Sequence, residues 1–284
     1  MLHRNSETRT DITPPSDMKP EAASPGAASF LEGLRLDHGP VQQIGHFLLH
    51  ADRYVRESGI ALRFAPISTI VNINEANQAS WGSFAPMLDT RNAELSEDNS
   101  YCLVGQSASG AVVATQAGRI YDVGRRTLKD LADDQSLYFG EGRIPTPDQP
   151  RCQLDAAAAR KISGCLVYSG ALWVHPNFRG RKLAAILPRI SRAYALGHWG
   201  TRFTFAFVSR QILESPLFSM YGYSNVEPGY SIWLRGEKFY EGSLMWMDSE
   251  ELVRDMVAFA AANLSEINRD IGLGGSQHKS SAAR

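Results

Sequence analysis

Leu172–Gly197, LWVHPNFRGRKLAAILPRISRAYALG, is the stretch whose reading decides the fold. It reads as strand, turn, basic loop and helix. Leu172, Trp173 and Val174 are large and apolar, as a buried strand requires, and Pro176 has no N–H to donate to a ladder, so it ends that strand. Arg179, Gly180, Arg181 and Lys182 stand where a helix is about to begin. From Leu183 the apolar residues Leu183, Leu187, Ile190 and Tyr194 recur at helical spacing. Pro188 falls inside that helix; it removes the bond to the Ala184 carbonyl and predicts a kink. A helix N-terminus carries unpaired N–H groups and the positive end of the macrodipole. Three cations beside it predict an anion site, with phosphate the expected anion.

Downstream, Thr201–Val208 puts Phe203, Phe205 and Phe207 on one face and Thr204, Ala206 and Val208 on the other, the pattern of an interior strand. Glu214–Met220 reads as a short helix stopped by Gly222. Tyr230–Leu234 and Leu244–Met247 read as closing strands. Asp248 and Glu251 have capping-box spacing and open a last helix. Upstream, Tyr101–Gly105 and Ala111–Tyr121 read as a hairpin joined by SASG. Between Asp122 and Ile162 the chain reads as an irregular insertion. It has short helices at Thr127–Ala132 and Asp155–Ile162, while Pro145, Pro147 and Pro150 exclude regular structure. Cys165–Tyr168 turns apolar again. Nearer the N-terminus, Val41, Ile44, Leu48, Ala51 and Val55 form one helical stripe ended by Gly59. Ile60, Leu62 and Phe64 alternate as a strand, and Ser68–Trp81 reads as a helix.

The 284 residues are enough to bury a sizeable core. A net charge of −1 argues against a general nucleic-acid binder, even with Arg181, Arg189 and Arg192 on one helix. The three cysteines, Cys102, Cys152 and Cys165, show no CxxC spacing, which speaks for a reducing compartment and against a zinc site. His46 and His50 lie four apart on a helix, but no third ligand is evident, so a solvated face is the reading and no metal is expected. No apolar run reaches membrane-spanning length and the polar N-terminus lacks a signal core, so a cytoplasmic protein without membrane contact is expected. Residues 1–29 read as a disordered tail, 30–271 as one domain, and 272–284 as a flexible tail.

VHPNFRGRKLA resembles the acetyl-CoA-binding segment of the GCN5-related N-acetyltransferases. In that family a strand ending in Val-x-Pro leads into Arg or Gln, two residues, Gly, one residue, then Gly or Ala. Arg179 takes the first place and Ala184 the last; Lys182 stands where the family usually has glycine. The resemblance covers roughly 101–234. It implies an α/β (α+β) fold: a mixed, mostly antiparallel central sheet flanked by helices, with the helical N-terminal extension and the insertion near 122–162 added. These additions are expected to shape the acceptor site or a dimer contact. Acetyl-CoA or another acyl-CoA is the implied co-substrate, and a small-molecule or peptide amine the implied acceptor.

The same resemblance assigns roles. The N–H groups of Arg179, Gly180, Arg181, Lys182, Leu183 and Ala184 would hold the pyrophosphate, with the three cations adding charge. Lys182 is expected to keep a helical backbone and still offer its N–H. The main chain of Leu172, Trp173 and Val174 would pair with the pantetheine arm, and Gln211 falls where the family often has an asparagine. Counting back four from Gly222, where the family often carries a proton-donating tyrosine, lands on Phe218, which has no hydroxyl. Tyr221 is the first candidate to replace it, with Tyr223 beside it. His175 is the candidate base, with Glu214 and Tyr168 further ones. Asn74, Glu75, Asn77 and Trp81 are candidates for substrate contact. The missing tyrosine and acidic base leave a second reading open: a non-catalytic acyl-CoA-binding or sensing protein on the same fold.

Overall fold

The computed structural model describes residues 29–264. The expected tails at 1–29 and 272–284 lie outside the described residues except for Ser29, which caps a short turn of helix at Phe30–Gly33. Eight strands form one sheet: β1 (Ile60–Ala65), β2 (Ser100–Ser107), β3 (Val112–Thr127), β4 (Arg151–Leu154), β5 (Ser163–Val174), β6 (Phe203–Ser209), β7 (Asn225–Leu234) and β8 (Glu237–Asp248). Their order is β1-β2-β3-β5-β6-β8-β7-β4. Every neighbouring pair is antiparallel except β5 with β6, which is parallel.

The strand period of two sends alternate side chains to two cores. One face of the sheet carries Cys102, Val104, Ala117, Tyr121, Tyr168 and Phe205. It is covered by α2 (Thr69–Ala76), α4 (Leu128–Asp133) and α5 (Ser136–Phe139). The other face carries Leu62, Leu103, Val113 and Met247. Against it pack α1 (Val41–Glu57), α6 (Leu183–Trp199) and α9 (Ser249–Asn263). Between α2 and β2 lies the short α3 (Gln78–Trp81), and between β6 and β7 lie α7 (Arg210–Leu213) and α8 (Leu217–Tyr221).

The structure departs from the sequence reading in five places. The second hairpin strand does not stop at Tyr121: β3 continues through Asp122–Thr127, whose polar composition hides a pairing with β5 across a bulge. The insertion is less irregular than expected, since β4 pairs with Tyr230–Trp233 of β7. This four-residue edge strand directly follows Pro150, a position proline tolerates at a sheet margin. Cys165–Tyr168 and Leu172–Val174 are one strand, β5, of 12 residues. Ser169, Gly170 and Ala171 obscure it because small residues are weak strand formers, and Ala171 has the positive φ of 54° that goes with the bulge opposite Gln116. Fourth, two expected helices are shortened: the one over Ser68–Trp81 breaks at Asn77, and the one over Glu214–Met220 starts only after Pro216.

The fifth departure bears on the site. Lys182 is not helical: it caps α6 with φ 55° and ψ 15°, in the left-handed region. The chain must reverse there to enter the helix, and a residue with a side chain pays about 1 kcal/mol for that backbone. This explains why glycine is the usual residue at the equivalent place in the resembled motif. α6 then runs 17 residues, past Pro188. Asp248 and Glu251 make the expected capping box at the start of α9.

Candidate functional site

β5 and β6 pair only where Leu166, Val167 and Tyr168 face Phe203, Thr204 and Phe205. Beyond those residues the two parallel strands separate, and the sheet opens as a V. A groove of about 470 Å³ occupies its mouth, lined by Trp81, by Leu172–Val174 of β5, by the loop and first turn of α6, and by Ile212, Leu217, Met220 and Tyr221. Where the strands part, a smaller cavity of about 150 Å³ continues inward; Leu172 and Tyr221 belong to both. This V beside a basic helix start is the acyl-CoA N-acyltransferase fold.

The α6 end of the groove is a cradle of backbone N–H groups. The N–H groups of Phe178 and Arg179 close turns on His175 and Pro176, and those of Ala185 and Ile186 bond to the Lys182 carbonyl. The N–H groups of Gly180, Arg181, Lys182, Leu183 and Ala184, which lie between, meet no acceptor among the described residues. Buried or half-buried donors in such a run attract an anion strongly. Of the three cations, Arg179 and Lys182 line the groove. The Arg179 guanidinium donates to the Val174 carbonyl at 3.2 Å and the Ser80 carbonyl at 3.0 Å, bridging β5 to α3. Arg181 does not line it: its guanidinium lies over the Phe178 ring and donates to the Ser58 carbonyl at 2.7 Å. It anchors the loop to the end of α1.

The opposite rim is aromatic. Trp81 stacks on Trp173 with centroids 5.5 Å apart, and the Trp173 indole N–H donates to Ser80 Oγ at 3.1 Å. Trp81 therefore reaches the groove. The other candidates near it do structural work. Asn74 is buried and donates to the Gly82 carbonyl, Glu75 pairs with Arg91, and Asn77 donates to the Ile73 carbonyl.

α8 forms the roof, and two buried arginines hold it. Arg189 and Arg192 of α6 donate to the Met220 carbonyl at 2.7 Å and the Tyr221 carbonyl at 2.9 Å. Both share one carboxylate, Asp255 of α9, at 2.8 and 3.3 Å. Burial lowers the Arg189 pKa from its ordinary value, against the pull of Asp255. Gly222 ends α8 at φ 69°, and a Cβ there would overlap the Arg189 guanidinium and Asp255. Both constraints demand glycine.

The roof decides between the tyrosine candidates. Phe218, at the expected tyrosine position, packs against Ala206, Val208 and Met245. Tyr221 lines both the groove and the inner cavity; burial, with Tyr223 beside it, raises its phenol above the ordinary value of 10. Tyr223 and Tyr168 line the inner cavity. His175 does not line either space: its Nδ1 accepts from the Asn177 N–H at 3.2 Å, capping the turn after β5. Glu214 is exposed and paired with Arg210, and Gln211 is exposed beside the groove. Sequence reading missed Gln116 and Ser169, which line the inner cavity. The strand position of Gln116 was legible, whereas Ser169 fell in the gap read after Tyr168, and which β3 residue faces the opening depends on the bulge. Among the described residues no group of three or more His, Cys, Asp or Glu is placed to hold a metal, and no helix is long and apolar enough to cross a membrane.

No family model matches the chain, and no curated protein matches it in sequence. Solved structures with a similar outline include a mutant spermidine N-acetyltransferase SpeG from Vibrio cholerae, 9% identical, TM-score 0.40, over 69% of this chain and 96% of that one. FeeM, an N-acyl amino acid synthase from uncultured soil microbes, is 11% identical, TM-score 0.39, over 68% and 92%. NAA60 from Arabidopsis thaliana, in complex with a bisubstrate analogue, is 14% identical, TM-score 0.41, over 66% and 98%. At these values the likeness carries no weight for activity; strand order, the V and the cradle describe the fold.

Proposed function

We propose that the chain is an acyl-CoA-dependent N-acyltransferase of the GCN5-related type, with an amine as acceptor. The observation that carries this reading is the continuity of three features: the run of free N–H groups at Gly180–Ala184, the groove, and the parting of β5 from β6. A diphosphate would sit in the cradle with Arg179 and Lys182 beside it. An extended amide-bearing arm would lie along the unpaired edge of β5. The thioester would then reach the inner cavity, where the β5 main chain offers donors to its carbonyl oxygen.

Transfer is by direct attack. The amine nitrogen adds to the thioester carbonyl carbon; the C–N bond forms, the C–S bond breaks, and the thiolate leaves. Tyr221 gives its proton to that sulfur and recovers one from solvent. Its raised pKa keeps it protonated at neutral pH, as an acid requires. Among the described residues no Asp or Glu lines the groove or the inner cavity. The amine proton therefore leaves through water.

The absence of a lining carboxylate favours a second reading, an acyl-CoA sensor without turnover. Two measurements separate them. Calorimetric titration with acetyl-CoA is expected to show binding that weakens in Arg179→Ala; no binding would end both readings. Thiol release across a panel of amines is expected for at least one acceptor. Binding without release from any amine would leave only the sensor.

A further inference from the structure

The inner cavity is larger and more polar than an acetyl group needs. Its 150 Å³ gives room for about five non-hydrogen atoms, at the roughly 30 Å³ that a water occupies in the liquid. With the thioester carbonyl against β5, only the methyl of an acetyl group would enter it. Leu172, Pro188, Ala206 and Met245 offer an apolar wall, interrupted by the polar side chains of Gln116, Tyr168, Ser169, Tyr221 and Tyr223. Gln116, only 1% exposed, leaves Oε1 buried without a hydrogen-bond partner, and the buried Tyr223 hydroxyl, though near Arg192 and Ser169, closes no hydrogen bond of good geometry with either. Buried polar groups are almost always partnered, so an orphan pair in one cavity points to something that completes it.

The hydrogen-bond roles are set by a chain through the core. The Tyr101 hydroxyl lies 2.8 Å from the Ser191 carbonyl and 2.7 Å from Ser191 Oγ. The carbonyl only accepts, so the phenol proton is committed to it and Ser191 donates to Tyr101. Ser169, 3.2 Å from Ser191, then donates to Ser191, and its oxygen accepts from Gln116 Nε2 at 3.1 Å. The amide is thereby fixed, with its oxygen left as an acceptor at the cavity wall. On the other side Arg192 lies 4.6 Å from the Tyr223 ring, and the phenol keeps a proton to donate. A hydroxyl satisfies both, donating to Gln116 and accepting from Tyr223.

We propose that this cavity is an acyl subsite that selects a short chain bearing a hydroxyl, of 3-hydroxybutyryl size, over acetyl and unsubstituted chains. The proposal rests on the acyl-CoA reading above. The test is calorimetric titration of the full chain with CoA, acetyl-CoA, butyryl-CoA and 3-hydroxybutyryl-CoA. It is run on the native protein, Gln116→Leu and Tyr223→Phe, each affinity referred to free CoA in the same protein, with a melting curve to confirm folding. The native protein is expected to bind 3-hydroxybutyryl-CoA about tenfold more tightly than butyryl-CoA. That ratio should fall to about one, or invert, in Gln116→Leu and shrink several-fold in Tyr223→Phe; if one variant fails to fold, the other carries the test. Equal binding of the two thioesters, tightest binding of acetyl-CoA, or a ratio indifferent to the variants would overturn the subsite and leave ordered water as the occupant. Binding of free CoA without acyl discrimination overturns the subsite alone. If neither CoA nor any thioester binds, the acyl-CoA reading falls and the subsite with it.

Discussion

The two halves of the β5–β6 pair share a sheet and differ in what their side chains meet. In the closed half, Leu166, Val167 and Phe205 are fully buried and the strands are hydrogen-bonded. In the open half, Ser169–Val174 diverge from Ala206–Ser209, and small residues, a bulge at Ala171 and the roof of α8 take the place of a partner strand. One half stores stability; the other keeps main chain unpaired for a ligand. The comparison teaches that the opening is held from outside the sheet, by α6, α8 and α9.

The largest expected effect is in the closed half. Phe205→Ala removes a fully buried ring packed on Tyr121, Tyr168 and Phe207, and should cost about 4 kcal/mol in urea unfolding. A loss below about 1 kcal/mol would mean the closed half is not the anchor. Next is the clamp. Asp255→Ala leaves two guanidiniums without their shared carboxylate, and should cost about 3 kcal/mol and loosen α8. Unchanged unfolding and unchanged acyl-CoA affinity would show the roof standing without it.

Tyr221→Phe tests the open half itself. It should lower kcat about 100-fold and leave KM for acyl-CoA within about twofold. An equal rise in KM would make Tyr221 a contact and not a proton donor. The pH dependence has a definite sign. An acid with a raised pKa stays protonated as pH rises, so Tyr221 should add no falling limb to the rate profile below pH 10. The smallest effects separate the cations. Arg179→Ala with Lys182→Ala should weaken CoA binding about tenfold, and less at high salt. Arg181→Ala should change affinity no more than about twofold, since its guanidinium is bonded to Ser58. The reverse ranking would place Arg181 in the cradle.

Much of this was legible in the chain. Leu172–Val174, Pro176 and the stripe of α6 were readable as strand, turn and helix because each rests on local chemistry. The Asp248–Glu251 cap was readable for the same reason. Phe218 has no hydroxyl, which is legible in the sequence; that Tyr221 lines the groove required the turn of α8 and the arginines beneath it. Arg181 was grouped with Arg179 and Lys182 because charge is visible in a sequence, whereas the Ser58 carbonyl that occupies it lies 123 residues away.

By itself the sequence determined the elements with strong local signals: apolar period, proline stops, capping spacing and the run of cations before a helix. Only the tertiary structure decided where β5 leaves β6, which tyrosine meets the opening, and that Gln116 reaches the cavity with its oxygen unpaired. The physical reason is range. Period, caps and turns are settled within a few residues. A gap between strands, a bulge register or an orphaned polar atom exists only relative to groups brought there from distant parts of the chain.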